Sequence, residues 1–196
     1  DDHIVNIIIN DQIATISYSP SAQVYTRGTV IANWSAILGG GAVVTYEVEP
    51  ALPAGLLINT SGQIYGTPTN NQSIATYKIY ANNSGGSANA TIQITVNEPI
   101  PVLSTLSAVT LLRGSAMSAT GPTNTGGNVA TWAIHPTLPA GLSFANGVIS
   151  GTPSVNLTTT TYTIYGNNTG GSANTTIDIT INEPVANLGS IADQTF

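Results

Sequence analysis

Twice along this 196-residue chain the same pattern of leucines, glycines and prolines returns, about 85 residues apart, and a chain built that way folds as an array of like units. Leu52-Pro53-Ala54-Gly55-Leu56, followed by Gly62-Gln63-Ile64-Tyr65-Gly66-Thr67-Pro68, is answered by Leu138-Pro139-Ala140-Gly141-Leu142 and Gly147-Val148-Ile149-Ser150-Gly151-Thr152-Pro153. Downstream, Tyr77-x-Ile79-Tyr80-x-Asn82-Asn83-Ser84-Gly85-Gly86-Ser87 is matched by Tyr162-x-Ile164-Tyr165-x-Asn167-Asn168-Thr169-Gly170-Gly171-Ser172. Both copies close on Asn-Glu-Pro, at 97–99 and 182–184. Repetition of one small module serves length, spacing or polymerisation more directly than it serves a single active site.

The periodicity inside each copy is two, the signature of strands with one face buried. Ile92, Ile94 and Val96 face one way while Thr91, Gln93, Thr95 and Asn97 face the other; Ile177, Ile179 and Ile181 repeat the arrangement. Tyr77, Ile79 and Ala81, with Tyr162, Ile164 and Gly166, form the preceding strand, and Asn-Ser/Thr-Gly-Gly-Ser joins the two as a hairpin whose glycines accept positive φ. Two very short strands are expected at Leu56–Ile58 and Gln63–Tyr65. Pro50, Pro53, Pro136 and Pro139 end strands by withholding a ladder donor. Gly55 and Gly141 permit a tight bend before buried Leu56 and Leu142, and Thr67-Pro68 and Thr152-Pro153 open turns. Short strands, turn signals every 8–12 residues and some 85 residues per unit predict an all-β fold of tandem antiparallel β-sandwiches of the immunoglobulin type.

The pattern Leu-Pro-x-Gly-Leu … Gly-x-Ile-x-Gly-Thr-Pro, then Tyr-x-Ile-Tyr-x-Asn-Asn … Gly-Gly-Ser, resembles the putative-Ig and dystroglycan/cadherin-like repeat families of bacterial and archaeal surface proteins. The resemblance covers about 46–99 and 132–184. It implies Ig-like, cadherin-like sandwiches that serve as stalks and spacers in surface proteins, adhesins and secreted enzymes, and it implies no particular chemistry.

Parts of two further repeats lie at the ends. Val5, Ile7, Ile9 and Asn10-Asp11 align with Ile92, Ile94, Val96 and Asn97-Glu98, so residues 1–12 read as the last strand of a preceding unit. Residues 185–196 read as the first strand of a following one, with Leu188, Ile191 and Thr195 where Leu103, Leu106 and Thr110 stand. The expected order is thus an orphan segment at 1–12, whole units at 13–99 and 100–184, and a second orphan at 185–196. Ile4 and Ile8 lie opposite Val5, Ile7 and Ile9, which makes the first orphan apolar on both faces, a hazard if left bare. Two explanations stand open. Either these residues are a window on a longer array, in keeping with a chain that begins at Asp1 rather than Met, or the terminal strands pair between subunits by β-augmentation. In the second case Ile4, Val5, Ile7, Ile8, Ile9, Leu188, Ile191 and Phe196 are the pairing residues. Copies of the chain or adjacent repeats are the expected partners.

Composition narrows the remaining functions. Only 6% of residues are charged, against about 25% in ordinary domains. With 3 basic residues and a net charge of −6 there is no phosphate-binding patch, so nucleic acid is not a partner. No apolar run reaches the ~20 residues that span a bilayer. There is no cysteine, hence neither disulfide nor thiolate-held metal. Glu47 and Glu49 share a strand face but have Ala133 and His135 as repeat counterparts, which makes them solvated edge charges rather than a glycosidase pair. His3 and His135 lack partners for zinc. Calcium at the junctions would draw on Glu98, Glu183 and Asp178, too few carboxylates for its six to eight oxygens. Lys78 is the single lysine and its counterpart is Thr163, so a repeated isopeptide crosslink is excluded.

Eight Asn-x-Ser/Thr sequons, at Asn33, Asn59, Asn71, Asn82, Asn89, Asn156, Asn167 and Asn174, are candidate N-glycosylation sites of an extracellular protein. The expectation is a non-enzymatic, cofactor-free structural module of a cell-surface stalk, adhesin or filament. The alternative is a glycan-binding or enzyme-associated accessory module of a secreted protein, for which Tyr18, Tyr25, Trp34, Tyr65 and Tyr80 are the candidate sugar platform, although Trp34 corresponds to Thr120 in the second copy.

Overall fold

The computed structural model describes residues 6–185, and within them every regular element is a strand. The chain divides between Pro99 and Ile100 into two compact units, each with its own core.

In the first unit a four-stranded sheet runs in the order β2 (Ala22–Thr26), β8 (Gly86–Asn97), β7 (Gln72–Asn83), β4 (Thr45–Glu49). Facing it, β1 (Ala14–Ser17) pairs with β3 (Ile37–Gly40) and β5 (Leu56–Ile58) pairs with β6 (Ile64–Gly66); an isolated bridge links Ile64 to Trp34, ahead of β3. The second unit repeats the plan. One sheet runs β11 (Thr131–His135), β14 (Leu157–Asn168), β15 (Gly171–Asn182), β9 (Val109–Leu112). The other runs β10 (Met117–Thr120), β13 (Val148–Gly151), β12 (Leu142–Ala145), with a bridge from Leu103 to Asn124.

Alternation decides which side chains fill the space between sheets. Tyr77, Ile79 and Ala81 of β7 and Ile92, Ile94 and Val96 of β8 are all at most 2% exposed, and Tyr162, Ile164, Ile177, Ile179 and Ile181 match them in the second unit. Burying such a side chain is worth about 1.5–3 kcal/mol, and the long hairpin supplies half of the first core cluster's buried residues and all but Ile149 of the second's. Tyr18 and Trp34 complete the first core with their rings edge to face at 5.2 Å, and the Tyr18 hydroxyl donates to the Gly62 carbonyl at 2.6 Å. Burial pushes the Tyr18 phenol well above its ordinary range, with nearby Tyr46 adding to the effect, so the hydroxyl stays a donor.

The sandwiches are not wholly antiparallel. β2 lies parallel to β8, and β9 parallel to β15, so each unit's last strand sits between its hairpin partner and an early strand. The opening segment of the first unit makes this possible by changing sheets: β1 pairs in one, and β2, beyond Pro20, pairs in the other. Two local expectations also shift. β6 starts at Ile64 instead of Gln63, because the Asn59 side chain accepts the backbone N–H groups of Ser61 and Gln63 at 3.0 Å and holds Gln63 in the turn. In the hairpin tips only the second glycine, Gly86 or Gly171, has positive φ.

The Leu-Pro-x-Gly-Leu corner is explained by two close backbone approaches. Gly55 and Gly141 both have φ of 90°, and a Cβ at either would run into a facing carbonyl oxygen, of Thr67 or of Thr152. Gly28 also has positive φ, 78°, but open space around it. Gly55→Ala is therefore expected to destabilise the first unit by about 3 kcal/mol or more, and Gly28→Ala by only about 1 kcal/mol. Guanidinium unfolding of the two variants checks the difference; equal losses would show that the Thr67 approach is not what holds the corner.

Candidate functional site

Residues 6–13 lie in no strand, and Ile7, Ile8 and Ile9 are 79%, 83% and 89% exposed. Of the other expected pairing residues, Ile4, Val5, Leu188, Ile191 and Phe196 lie outside the described residues. The isoleucine run nevertheless leaves the first unit from a fixed point. The Asp11 N–H donates to Ser84 Oγ at 2.9 Å, and the Ser84 hydroxyl donates to Asp11 Oδ2 at 2.7 Å. Asn83 Nδ2 donates to the Gln12 carbonyl at 2.7 Å and to the Ala42 carbonyl at 3.2 Å. Gly85 and Gly41 are required for space, since a Cβ there would meet the carbonyl oxygens of Asp11 and Gln12. The Asn-Ser-Gly tip of the β7–β8 hairpin is thus a seat for residues 11 and 12, beyond which the apolar run stands in solvent.

A second constellation is built twice. Arg27 follows β2 directly; its N–H donates to the Asn97 carbonyl at 2.8 Å and its guanidinium reaches Glu98 Oε2 at 2.6 Å. Asn71 Nδ2 donates to the other oxygen, Oε1, at 2.7 Å. In the second unit the Arg113 N–H donates to the Asn182 carbonyl at 2.9 Å, its guanidinium pairs with Glu183 Oε1, and Asn156 donates to Oε2 at 2.8 Å. Gly28 and Gly114 then bond to the carbonyls of Pro68 and Pro153, both at 2.8 Å. Each clamp ties the early parallel strand, the segment before the long hairpin and the end of the last strand together. Together the two clamps occupy two of the chain's three basic residues. The sequence signal was present but dispersed: Arg-Gly, Asn and Glu repeat together in a chain nearly devoid of cations.

The clamps set the electrostatics of the junction acids. The Arg27 and Asn71 hydrogen bonds hold the Glu98 carboxyl below its ordinary range, and those of Asn156 and Arg113 do the same for Glu183. Glu98 is the better shielded, 13% exposed against 53%. The acids weighed as calcium ligands are thus engaged by their own units, and Asp178 accepts the Thr161 hydroxyl at 2.6 Å. Among the described residues no three His, Asp or Glu side chains come close enough to hold a metal ion.

The other sequence candidates separate. Trp34 and Tyr18 are 5% and 6% exposed, so the five-aromatic sugar platform is not formed. Tyr65 and Tyr80 lie on different sheets, and the Tyr25 hydroxyl is buried. Aromatic packing also explains two glycines: Gly62 abuts the Tyr46 ring and Gly147 the Trp132 ring, the same contact in both units. Glu47 and Glu49 are exposed on edge strand β4, opposite Tyr80 and Lys78. Lys78 is exposed as well, with Nζ 5.9 Å from the Tyr80 ring centre, far from the buried setting of an isopeptide. Sequon asparagines sort by what their amides already do: Asn71 and Asn156 serve the clamps, Asn59 bonds to Gln63 at 3.3 Å, and Asn82 and Asn167 are half-buried. Asn33, Asn89 and Asn174 stand exposed.

The sequence profile of the Putative Ig domain family matches residues 6–97 and again 100–182. The chain belongs to that family, as a tandem pair. No curated protein matches it. Among solved structures, extracellular domains 3–5 of Drosophila OTK are similar, with a TM-score of 0.51, 16% identity, and 85% of this chain and 62% of that one covered. Immunoglobulin domains 1–4 of Sidekick-1 give 0.52 and 12%, covering 91% and 51%. The insect immune protein hemolin gives 0.50 and 13%, covering 83% and 45%. The chain spans between about half and three-fifths of these proteins' lengths, and at such identities they share its fold alone. The Ig-like architecture agrees with the strand order of both units.

An acid whose folded pKa is depressed contributes stability above its unfolded pKa and loses it as pH falls through the folded value. Acidification from pH 7 to about 2 should therefore lower the melting temperature of the parent more steeply than that of Arg27→Gln/Arg113→Gln; parallel curves would remove the clamps as a source of stability. In glycopeptide mapping of protein from its native host, N-glycans are expected at Asn33, Asn89 or Asn174. Occupied Asn71 or Asn156 would contradict the clamp geometry.

Proposed function

We propose that this tandem Ig-like chain is a structural and adhesive repeat module of an extracellular stalk, adhesin or filament, and that residues 4–11 complete a neighbouring unit as its last strand. The observation that carries this reading is Ile7-Ile8-Ile9, between 79% and 89% exposed in a segment whose sequence repeats the buried stripes of β8 and β15. Three bare isoleucines are costly in water, each leaving about 1.5–3 kcal/mol of burial unrealised. An extended partner sheet supplies both what they lack, an apolar floor and ladder hydrogen bonds. The rest of the molecule suits a spacer: small cores, no disulfide and short proline-containing junctions at 97–99 and 182–184. Among the described residues no helix is long and apolar enough to cross a membrane.

The test is assembly of the purified chain, by sedimentation velocity and negative-stain electron microscopy, beside Ile7→Thr/Ile8→Thr/Ile9→Thr. The parent is expected to self-associate or to capture Ig-like units that lack a last strand. The variant should remain monomeric with an unchanged melting temperature, because those side chains contact little of the first unit. A parent that neither associates nor captures such units, or a variant that behaves identically, would overturn the reading.

A further inference from the structure

We propose that Asp11 is the acid of a third Arg–Asn–acid clamp, whose arginine and asparagine belong to another Ig-like unit, the one that receives residues 4–10 as its last strand. This rests on the strand reading above and adds the chemistry of the partner.

The register points to it first. In both complete units three inward apolar residues at alternate positions are followed, two residues on, by the clamp acid: Ile92, Ile94, Val96 and then Glu98; Ile177, Ile179, Ile181 and then Glu183. The amino-terminal segment has the same order, Val5, Ile7, Ile9 and then Asp11. The acid follows directly on the strand's last residue, Asn97 or Asn182, so seating that stripe inward brings Asp11, which follows Asn10, to the corresponding place. It falls where Arg27 and Arg113 place their guanidinium groups in their own units.

Charge points the same way. Arg27 and Arg113 are engaged by Glu98 and Glu183, and Lys78 lies over Tyr80 on the outer face of β7. Among the described residues no cation pairs with Asp11. Its N–H and Oδ2 are held by Ser84 at the hairpin tip, which fixes the carboxylate where the strand ends and leaves Oδ1 for a second donor. At Glu98 an asparagine N–H serves one carboxylate oxygen and a guanidinium the other; at Asp11 the Ser84 hydroxyl serves Oδ2, and Oδ1 is left for the partner's arginine and asparagine. The partner is thereby specified as a unit with a vacant last-strand position, an Arg-Gly step ending its early parallel strand and an Asn ahead of its long hairpin. A strand entering out of register would carry Asp11 away from that arginine, so the acid selects register as well as partner.

Grafting tests this in the intact chain. Residues 92–98 are given the sequence of 5–11 by I92V/Q93N/T95I/V96I/E98D, with and without R27Q, and denaturation midpoints are compared with those of the parent and of R27Q alone. The graft is expected to unfold cooperatively, and R27Q to lower its midpoint by as much as it lowers the parent's. A graft that folds but ignores R27Q overturns the clamp and leaves the strand reading standing. Should the full graft fail to fold, I92V/Q93N/T95I/V96I, which keeps Glu98, decides: folding of this variant assigns the fault to aspartate and sinks the clamp. Failure of both removes the strand reading with it. An R27Q parent with an unmoved midpoint also ends the proposal, since the clamp would then carry no weight.

Discussion

The buried face of the last strand is the constraint on which each unit depends. Ile92, Ile94 and Val96, or Ile177, Ile179 and Ile181, are almost wholly enclosed, and their strand has its hairpin partner on one edge and a parallel strand along its final residues on the other. A unit of this size buries too little surface to lose such a strand and keep its sheets together. The parallel neighbour, the hairpin and the clamp at the strand's end all hold this element in place. Because the same stripe returns at Val5, Ile7 and Ile9, the physics that closes each unit also assigns a meaning to the exposed segment.

Polar chemistry is used sparingly and where the backbone most needs it. With 6% charged residues, the outer faces of β7, β8, β14 and β15 are carried by threonines and asparagines, and Thr159 bonds across the hairpin to Thr180 at 2.8 Å. At the end of each last strand Glu98 or Glu183 accepts from an arginine and an asparagine. An exposed ion pair contributes little by itself, but its value grows when an asparagine serves the second carboxylate oxygen and the partners are joined to ordered backbone, as in these clamps.

What could be read before the fold was known follows from how local each signal is. The faces of Tyr77, Ile79, Ile92 and Ile94 were legible because the pleat converts alternation directly into burial. The corner at Gly55 was legible as a bend, but not its cause, a carbonyl from Thr67 twelve residues on. The parallel pairing of β2 with β8 left no trace in composition, since a parallel ladder is made by a long connection and not by a turn. Trp34 and Tyr18 could be a core pair or a sugar platform on sequence alone, because aromatic residues serve both and neither sits in an alternating run. Arg27, Asn71 and Glu98 are far apart in sequence, and only their joint recurrence as Arg113, Asn156 and Glu183 marks them as one device. As for the terminal segment, its stripe was legible, while its seat on Ser84 and Asn83 required the hairpin to be built first.

The parallel pair gives the proposed spacer role a physical basis. Tension along the chain enters a unit at its early strands and leaves at the end of its last one. In an antiparallel hairpin pulled at its open ends, ladder bonds break one after another. In a parallel pair pulled from the start of one strand and the finish of the other, the bonds lie across the force and share it. Arg27 and Glu98 sit at the finish of both strands, with Asn71 bridging from the segment before β7, so the last strand cannot slide without breaking the clamp together with the ladder. A strand borrowed by a neighbour faces the same demand. It has no covalent hairpin to the sheet it enters, and an acid that locks its register is what would let it carry load.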